Sequence, residues 1–522
     1  MVYHRIRRTL GWVIGGACVV AVQFMCGPTY SDLEDEPVRA EMSLTRAQCV
    51  AVALRNNLNI KVSQIDPLKA DANVTQAWGT YDPQVSGNFT VAEDKQPGGL
   101  IDVQGLPIRA PSSTAEHVRG QVGLQGQIPT GASYDMSYDS TRFGYHAGAL
   151  FGEEEDLPAE YTGQVRLQLT QSLLRGLGLD VNLTQIRTAA ANKEVSEFDL
   201  KRVLMQTVAD VQSAYWELVF AREDLGVKNR SLEVARDLLQ RNQRKFALGD
   251  GSQFLVDEAE AGVATREAET IAARAAVRDA EDELKRVMNM SDTEEYWGAE
   301  IVPADQAEMV ERIVDLDEEI RLARNLRPEV MQTKKNIEIA EMNESYERNQ
   351  LLPQLDVFGS YGFNSREPTY HREIEYMTRA DDYSYSYGLT GSIPIGNRAA
   401  KGRRIIAEYD LKQAKLRLKV LERDIGVEVR RAVRSVATNR RLTGANRTTR
   451  ELRRKTLEDE QTRFEIGLST SYRVLEKVED LAQARSNELR AIVDYRKAIV
   501  ALDLADGTIL TKNNIEFVSD NI

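Results

Sequence analysis

Val118-Arg119-Gly120-Gln121-Val122-Gly123-Leu124-Gln125-Gly126-Gln127-Ile128 alternates apolar or small residues with polar ones. Pro129-Thr130-Gly131 then turns the chain into Ser133-Tyr134-Asp135-Met136-Ser137-Tyr138, which alternates again. A period of two is that of a β-strand whose two faces meet different surroundings. The same pattern recurs on either side. Val85, Gly87, Phe89 and Val91 oppose Gln84, Ser86, Asn88 and Thr90, and Val165, Leu167 and Leu169 oppose Gln164, Arg166, Gln168 and Thr170. Tyr383, Tyr385, Tyr387, Leu389 and Ile393 oppose Ser384, Ser386, Thr390 and Ser392. Segments of about nine to eleven residues, apolar on one face and polar on the other, suit a barrel wall between lipid and water. Tyrosines near the strand starts suit a membrane-interface girdle. A half-buried soluble sheet alternates in the same way, so the strands alone leave both readings open.

The rest of the chain predicts long helices. No Pro occurs from about Asp180 to Leu248, nor from Arg403 to Ile466. At about 1.5 Å per residue each stretch makes a rod of roughly 100 Å. Apolar residues step by three and four along narrow seams: Leu200, Leu204, Val208, Val211, Tyr215 and Leu218 in one, and Leu475, Val478, Ala482, Leu489 and Ile492, interrupted by Arg485, in another. That is a coiled-coil rhythm. The chain also repeats itself. Asp82-Pro83-Gln84 matches Leu352-Pro353-Gln354, and Lys245-Phe246-Ala247-Leu248-Gly249 matches Arg463-Phe464-Glu465-Ile466-Gly467. Each half reads helix, strand region, long helix, tight turn, helix. The predicted division is a first repeat at 44–289 with strands at about 84–170, a linker at 290–316, a second repeat at 317–507 with strands at about 354–394, and a tail at 508–522. The linker, with Trp297, Gly298 and Pro303 among acids, is either a belt around the helices or a plain connection.

Composition narrows the class. A chain of 522 residues is too long for one ordinary core, and 7% aromatic against 28% charged residues favours long helices over a compact enzyme. A net charge of −13 argues against binding nucleic acid phosphates. His4, His117, His146 and His371 are scattered, so no metal site is assigned. Neither a Gly-x-Ser-x-Gly elbow nor a phosphate-cradling Gly-Lys-Ser/Thr loop is present, and no cofactor or catalytic residue is expected. A basic patch at His4, Arg5, Arg7 and Arg8, followed by an apolar run to about Met25, predicts a signal peptide over 1–26 and a linker over 27–43. Whether Cys18 or Cys26 carries a lipid stays open, since neither follows a Leu-Ala-Gly type of box. Removal of that segment leaves Cys49 alone, without a disulfide.

Three further pieces carry a resemblance. Leu351-Leu352-Pro353-Gln354-Leu355 enters a strand, Leu169-Thr170-Gln171-Ser172-Leu173-Leu174-Arg175-Gly176 leaves one, and Phe464-Glu465-Ile466-Gly467-Leu468-Ser469-Thr470 sits at a helical turn. In this order, over about Leu44 to Gly507, the chain resembles the TolC-like outer-membrane efflux proteins. The resemblance implies an α+β membrane protein: a homotrimer whose strands pool into one outer-membrane β-barrel, continued across the periplasm by a tunnel of α-helices. It implies a passive exit duct for small molecules or proteins, served by a periplasmic adaptor and an inner-membrane transporter. The family supplies two strands per half, whereas the first half here offers four, at about 84–92, 118–128, 132–139 and 161–170. Either the extra hairpin joins the wall, giving eighteen strands per trimer, or it stands outside a wall of twelve.

The resemblance also points to positions. The turns Gly249-Asp250-Gly251-Ser252 and Gly467-Leu468-Ser469-Thr470 correspond to the tunnel's inner end, where an adaptor docks; glycine reversal and Ser or Thr capping explain the same residues structurally. Asp257 and Glu476 fall where carboxylates ring the family's closed entrance, and Arg473 replaces another acid there. Solvated surface charge is the plainer account of all three. A secreted coiled-coil scaffold or adhesin with β heads and no pore is the alternative to a channel.

Overall fold

A computed structural model describes residues 41–103, 105–109, 111–147, 155–249, 251–290 and 297–517. The expected signal peptide with Cys18 and Cys26, the linker up to residue 40, Asp250, residues 291–296 and the end of the tail lie outside the described residues.

The alternating segments pair as expected and run further than their alternation. The strands are β2 (Gln84–Gln96), β5 (Ser113–Ile128), β6 (Ala132–Ala147), β7 (Glu155–Ser172), β9 (Gln354–Glu367) and β10 (Tyr383–Ser392). They form one antiparallel sheet in the order β10-β9-β7-β6-β5-β2. The extra hairpin, β5 with β6, therefore lies inside the sheet, and β2 and β10 are its two edges. Continuous register, Gly87↔Val122↔Tyr138↔Val165↔Phe363↔Tyr383, puts the apolar positions on one face, with Asn88, Gln121, Asp139, Gln164 and Asn364 in a neighbouring row of the other face. The connection expected over 140–160 is shorter than the sequence suggested. Beyond about Asp139 the faces no longer segregate, with Arg142 following the apolar positions and Phe143 the polar ones, but backbone pairing continues through a bulge between Phe143 and Tyr145. A hairpin of β3 (Leu100–Val103) and β4 (Leu106–Arg109) also stands in the connection read as loop.

The tight β5–β6 turn, the crossover from β7 to β9, the entry into β2 and the exit from β10 all lie at one end of the sheet. There Ile128 turns to Ala132 through Gly131, whose φ of +91° favours glycine and whose added Cβ would lie 2.1 Å from the Gly176 carbonyl oxygen.

The helices gather at that end. They are α1 (Arg46–Asn56), α2 (Leu58–Trp78), α3 (Leu179–Asn182), α4 (Thr184–Ala247), α5 (Gln253–Met288), α6 (Leu316–Leu326), α7 (Pro328–Asn349), α8 (Tyr370–Arg379), α9 (Arg398–Glu465), α10 (Ser471–Ala505) and α11 (Ile509–Lys512). Among the described residues only α8 belongs to the far end, between β9 and β10. Thr45 and Gln48 form a capping box that starts α1, and Asn57 caps α2 by accepting from the Asn59 and Ile60 amides. The expected rods are α4 and α9, of 64 and 68 residues, about 100 Å each. Along α4 the seam residues Val208, Val211, Tyr215 and Leu218 are buried with Val50, Ala53, Ile301, Val493 and Val500. Cys49 is buried in the same core, and burial pushes its thiol up to about 12. Arg485 breaks the α10 seam half-buried; desolvation, with Arg230, Arg450 and Arg454 nearby, lowers its pKa. No helix among the described residues is long and apolar enough to cross a membrane.

The joining segment is fastened to this bundle. β1 (Glu41–Leu44) pairs in parallel with β8 (Glu300–Pro303), so the start of the described chain and the linker between halves share a two-stranded ribbon. The Tyr215 hydroxyl donates to Asp305 at 2.9 Å, and Arg312 pairs with Glu319, Asp503 and Asp506.

Candidate functional site

The end of the bundle away from the sheet is made of two reversals. Helix α4 stops at Ala247 and α5 starts at Gln253; α9 stops at Glu465 and α10 starts at Ser471. Each reversal turns on a glycine in the left-handed region, Gly249 at φ +77° and Gly467 at φ +78°. The Gly249 amide donates to Phe246 O at 3.0 Å and the Gly467 amide to Phe464 O at 3.1 Å, satisfying carbonyls that the helix ends would otherwise leave open. The expected caps differ from the structure. Ser252 and Thr470 occupy N-cap positions with extended backbone, yet neither side chain caps its helix. The turn hydroxyl that finds a partner is Ser469, which donates to Glu460.

The two reversals lie side by side. Lys245 at the end of α4 sits 5.0 Å from the centroid of the Phe464 ring on α9. Asn242 donates to Leu255 O and to the Ser471 hydroxyl, both at 3.0 Å, tying α4 to the starts of α5 and α10. One turn deeper, buried Arg266 of α5 donates to Leu475 O of α10 at 2.9 Å. On this rigid base the tips expose apolar side chains: Leu248 is 85% exposed and Leu468 75%, with Phe254, Ile466 and Tyr472 also outward.

Asp257 and Glu476 are exposed on the second turns of α5 and α10. The Asp257 carboxylate accepts from Gln253 on its own helix at 2.7 Å. Glu476 pairs with Lys477 at 3.1 Å, and Lys477 also reaches Asp480 at 3.1 Å; these hydrogen bonds raise the Lys477 pKa. Arg473 is exposed and pairs with neither acid among the described residues, so any neutralisation of Glu476 within one chain comes from Lys477.

Two polar devices escaped sequence reading. Glu281 and Lys285 form a buried pair beneath the joining segment, for which the only signal is their i,i+4 spacing. Glu373 of α8 is completely buried against the sheet, on a segment with no apolar run to announce it.

A long sheet with one apolar and one polar face, set on paired helical rods that end in glycine reversals, defines the TolC-like channel fold. The solved outer-membrane channel CmeC of Campylobacter jejuni shares it at a TM-score of 0.59, with 16% identity over 89% of this chain and 86% of that one. The MtrE outer-membrane channel of Neisseria gonorrhoeae, in its open state, does so at 0.61, with 14% identity over 89% of each chain. The outer membrane efflux protein BepC of Brucella suis biovar 1 is 25% identical over 473 residues, 90% of this chain and 86% of BepC. The model of the outer membrane efflux protein family matches residues 132–290 and 320–508. The chain belongs to that family. It is an efflux channel of the outer membrane that extends into the periplasm, and not an enzyme. The scaffold or adhesin alternative falls with that membership.

Proposed function

We propose that the protein works as a homotrimer whose three sheets close into one eighteen-stranded barrel and whose helices continue it as a periplasmic tunnel. The observation that carries this reading is the pair of open flanks. The sheet ends at β2 on one side and β10 on the other, and unpaired strand edges are not tolerated in lipid. Each edge comes with an uncovered apolar stripe on the helix joined to it: Leu58, Val62 and Ile65 on α2 before β2, and Tyr409, Leu416, Val420 and Val427 on α9 after β10. A β2/α2 flank set on the β10/α9 flank of the next copy repeats around a ring and leaves no edge. Six contiguous strands per chain favour eighteen over twelve, and barrels of that size leave an aqueous bore. Detergent-solubilised protein should have the mass of three chains, run as a heat-modifiable trimer and open pores in planar bilayers. A monomer that stays soluble without detergent overturns the reading.

In this reading 44–289 and 317–507 are duplicated halves, supported by the recurring order of helix pair, strands, long rod, glycine turn and shorter helix. The joining segment within 290–316 is a belt, held by β1 and Arg312. The duct is passive and takes its cargo, small molecules or proteins, from an inner-membrane transporter through a periplasmic adaptor. The adaptor docks on the turns at 249–252 and 467–470, where exposed Leu248 and Leu468 offer apolar contacts on a braced base. Leu248→Glu with Leu468→Glu should abolish export while trimers form at normal levels. Loss of the trimer, or normal export, counts against docking there.

Asp257 and Glu476, three copies of each, place a ring of carboxylates at the entrance, which attracts cations in a narrow passage. Asp257→Ala combined with Glu476→Ala should lower cation selectivity and weaken block by divalent ions in planar bilayers. Unchanged selectivity and block would leave these acids as solvated surface charge.

A further inference from the structure

The connection between β9 and β10 folds back over the sheet, and it lands on the apolar face. Its helix α8 buries Glu373, whose carboxylate accepts from the Ser140 hydroxyl at 2.8 Å and the Tyr138 hydroxyl at 3.2 Å, both on β6. The seat is a row of small residues across the sheet, Gly120↔Ser140↔Gly163↔Ser365. Gly163 is required by contact: a Cβ there would lie 1.9 Å from a Glu373 carboxylate oxygen and 2.5 Å from the Met377 methyl. The helix covers only part of this row. Beside it the trough continues toward β2 as a groove of about 610 Å³, lined by Phe89, Gly120, Val122, Tyr161 and Tyr370, with Arg142 among its walls. That volume is in the range of small-molecule sites, ~300–1,000 Å³.

We infer that this groove binds an acyl chain of a phosphorylated glycolipid of the outer leaflet, with the lipid's phosphate at Arg142. The inference rests on the proposed barrel, in which the apolar face meets lipid. Three observations select the occupant. The groove walls are mainly apolar and aromatic, as a hydrocarbon chain requires, with Asn88, Gln121 and Ser140 the polar exceptions besides Arg142. Arg142 lies about ten residues from the tight turn at the periplasmic end, and ten tilted strand residues span the ~25 Å apolar band, so its guanidinium reaches the outer headgroup level. Charge at that level is complementary. Glu116 takes one guanidinium N–H of half-exposed Arg142, at 3.1 Å, leaving others for a phosphate, and His371 and Arg372 are exposed on the first turn of α8 next to Tyr370. Glu373 then acts as a peg that holds α8 on the wall and shapes one side of the groove, while Tyr370 and Tyr161, with ring centroids 6.3 Å apart, form its flank.

The test uses full-length protein extracted from outer membranes in mild detergent, with bound lipid identified by native mass spectrometry. Wild type should retain a bisphosphorylated lipid A through detergent exchange. Gly120→Phe, whose Cβ would meet nothing nearer than the Phe89 ring at 4.0 Å, and Val122→Phe should each reduce retention at least tenfold, and Arg142→Gln should reduce it several-fold. Leu169→Phe, on the same face near the other end, should retain lipid as wild type does. Equal retention by wild type and both groove-filling variants overturns the inference. Two further results do the same: preferential retention of phosphatidylglycerol after reconstitution in mixed vesicles, or a Val122→Cys crosslink to a second copy, which would put a neighbouring chain in the groove. A spin label at Leu169→Cys separates the two levels of argument. Contact with oxygen rather than a water-soluble nickel reagent, without lipid retention, means that the groove fails and the barrel stands; nickel contact means that the barrel reading itself fails.

Discussion

Leu167→Arg is expected to remove most assembled protein from the outer membrane, whereas Gln168→Arg, one residue along the same strand, should leave it at wild-type level. Leu167 lies midway along the alternating portion of β7, paired with Met136 and Tyr361 on the apolar face; Gln168 pairs with Asp135 and Ser360 on the polar face. In a single chain Leu167 is already 44% exposed, so an arginine there would be nearly free of cost if the face met water. Against lipid, arginine at the midplane costs about 2–4 kcal/mol, and every copy in a ring bears that cost. The arginine that replaces Gln168 would instead face a water-filled bore, among solvent and further polar side chains. The readout is the heat-modifiable band in membrane fractions. Equal levels of the two variants would show that both faces meet water, and the lipid-wall argument would fail with them.

The contrast between those neighbours was legible in the sequence because a strand exposes its pattern directly: each residue's face follows from parity alone. The same logic found the alternating segments of the extra hairpin and the rods α4 and α9, since parity, freedom from proline and a three-four seam are local properties; which strands pair, and in what register, it did not give. What escaped depends on contacts distant in the chain. Strand ends beyond Asp139 have lost the segregation of faces that makes alternation visible, though their backbone groups still need pairing. Helix α8 is short and charged, and its buried face centres on a glutamate whose partners Tyr138 and Ser140 lie more than 200 residues earlier. A reader of segment 370–379 alone sees a polar loop. At the helical tips the glycine reversals at Gly249 and Gly467 were legible, because a positive φ restricts residue choice, but the hydroxyl roles were not: Ser469 finds Glu460 while Ser252 and Thr470 cap nothing. Propensity locates a cap position without fixing which acceptor its side chain meets.

Lys285→Ala should be the most destabilising single change in the helical region, by about 3–5 kcal/mol, because it strands a buried carboxylate. The side chains of Lys285 and Glu281 are 1% and 4% exposed and 2.7 Å apart. The ammonium has three donors and uses all of them, on Glu281, on Trp297 O at 2.8 Å and on Ala299 O at 2.5 Å. Glu281 in turn accepts the Ile301 amide at 3.1 Å. The pair thus fixes the backbone that leads into β8, and through β8 the ribbon with β1 and the burial of Ile301 beside Tyr215. Removing the ammonium should free residues 297–303 first, seen as faster amide exchange there and early proteolysis, ahead of a lower melting temperature for the whole chain. Replacing both partners, Glu281→Leu with Lys285→Met, should recover much of the loss, since no unpaired charge remains, although the two carbonyls lose their donor. If Lys285→Ala melts like wild type and exchange over 297–303 is unchanged, the segment is held by its strand pairing alone, and the ion pair is incidental to the belt.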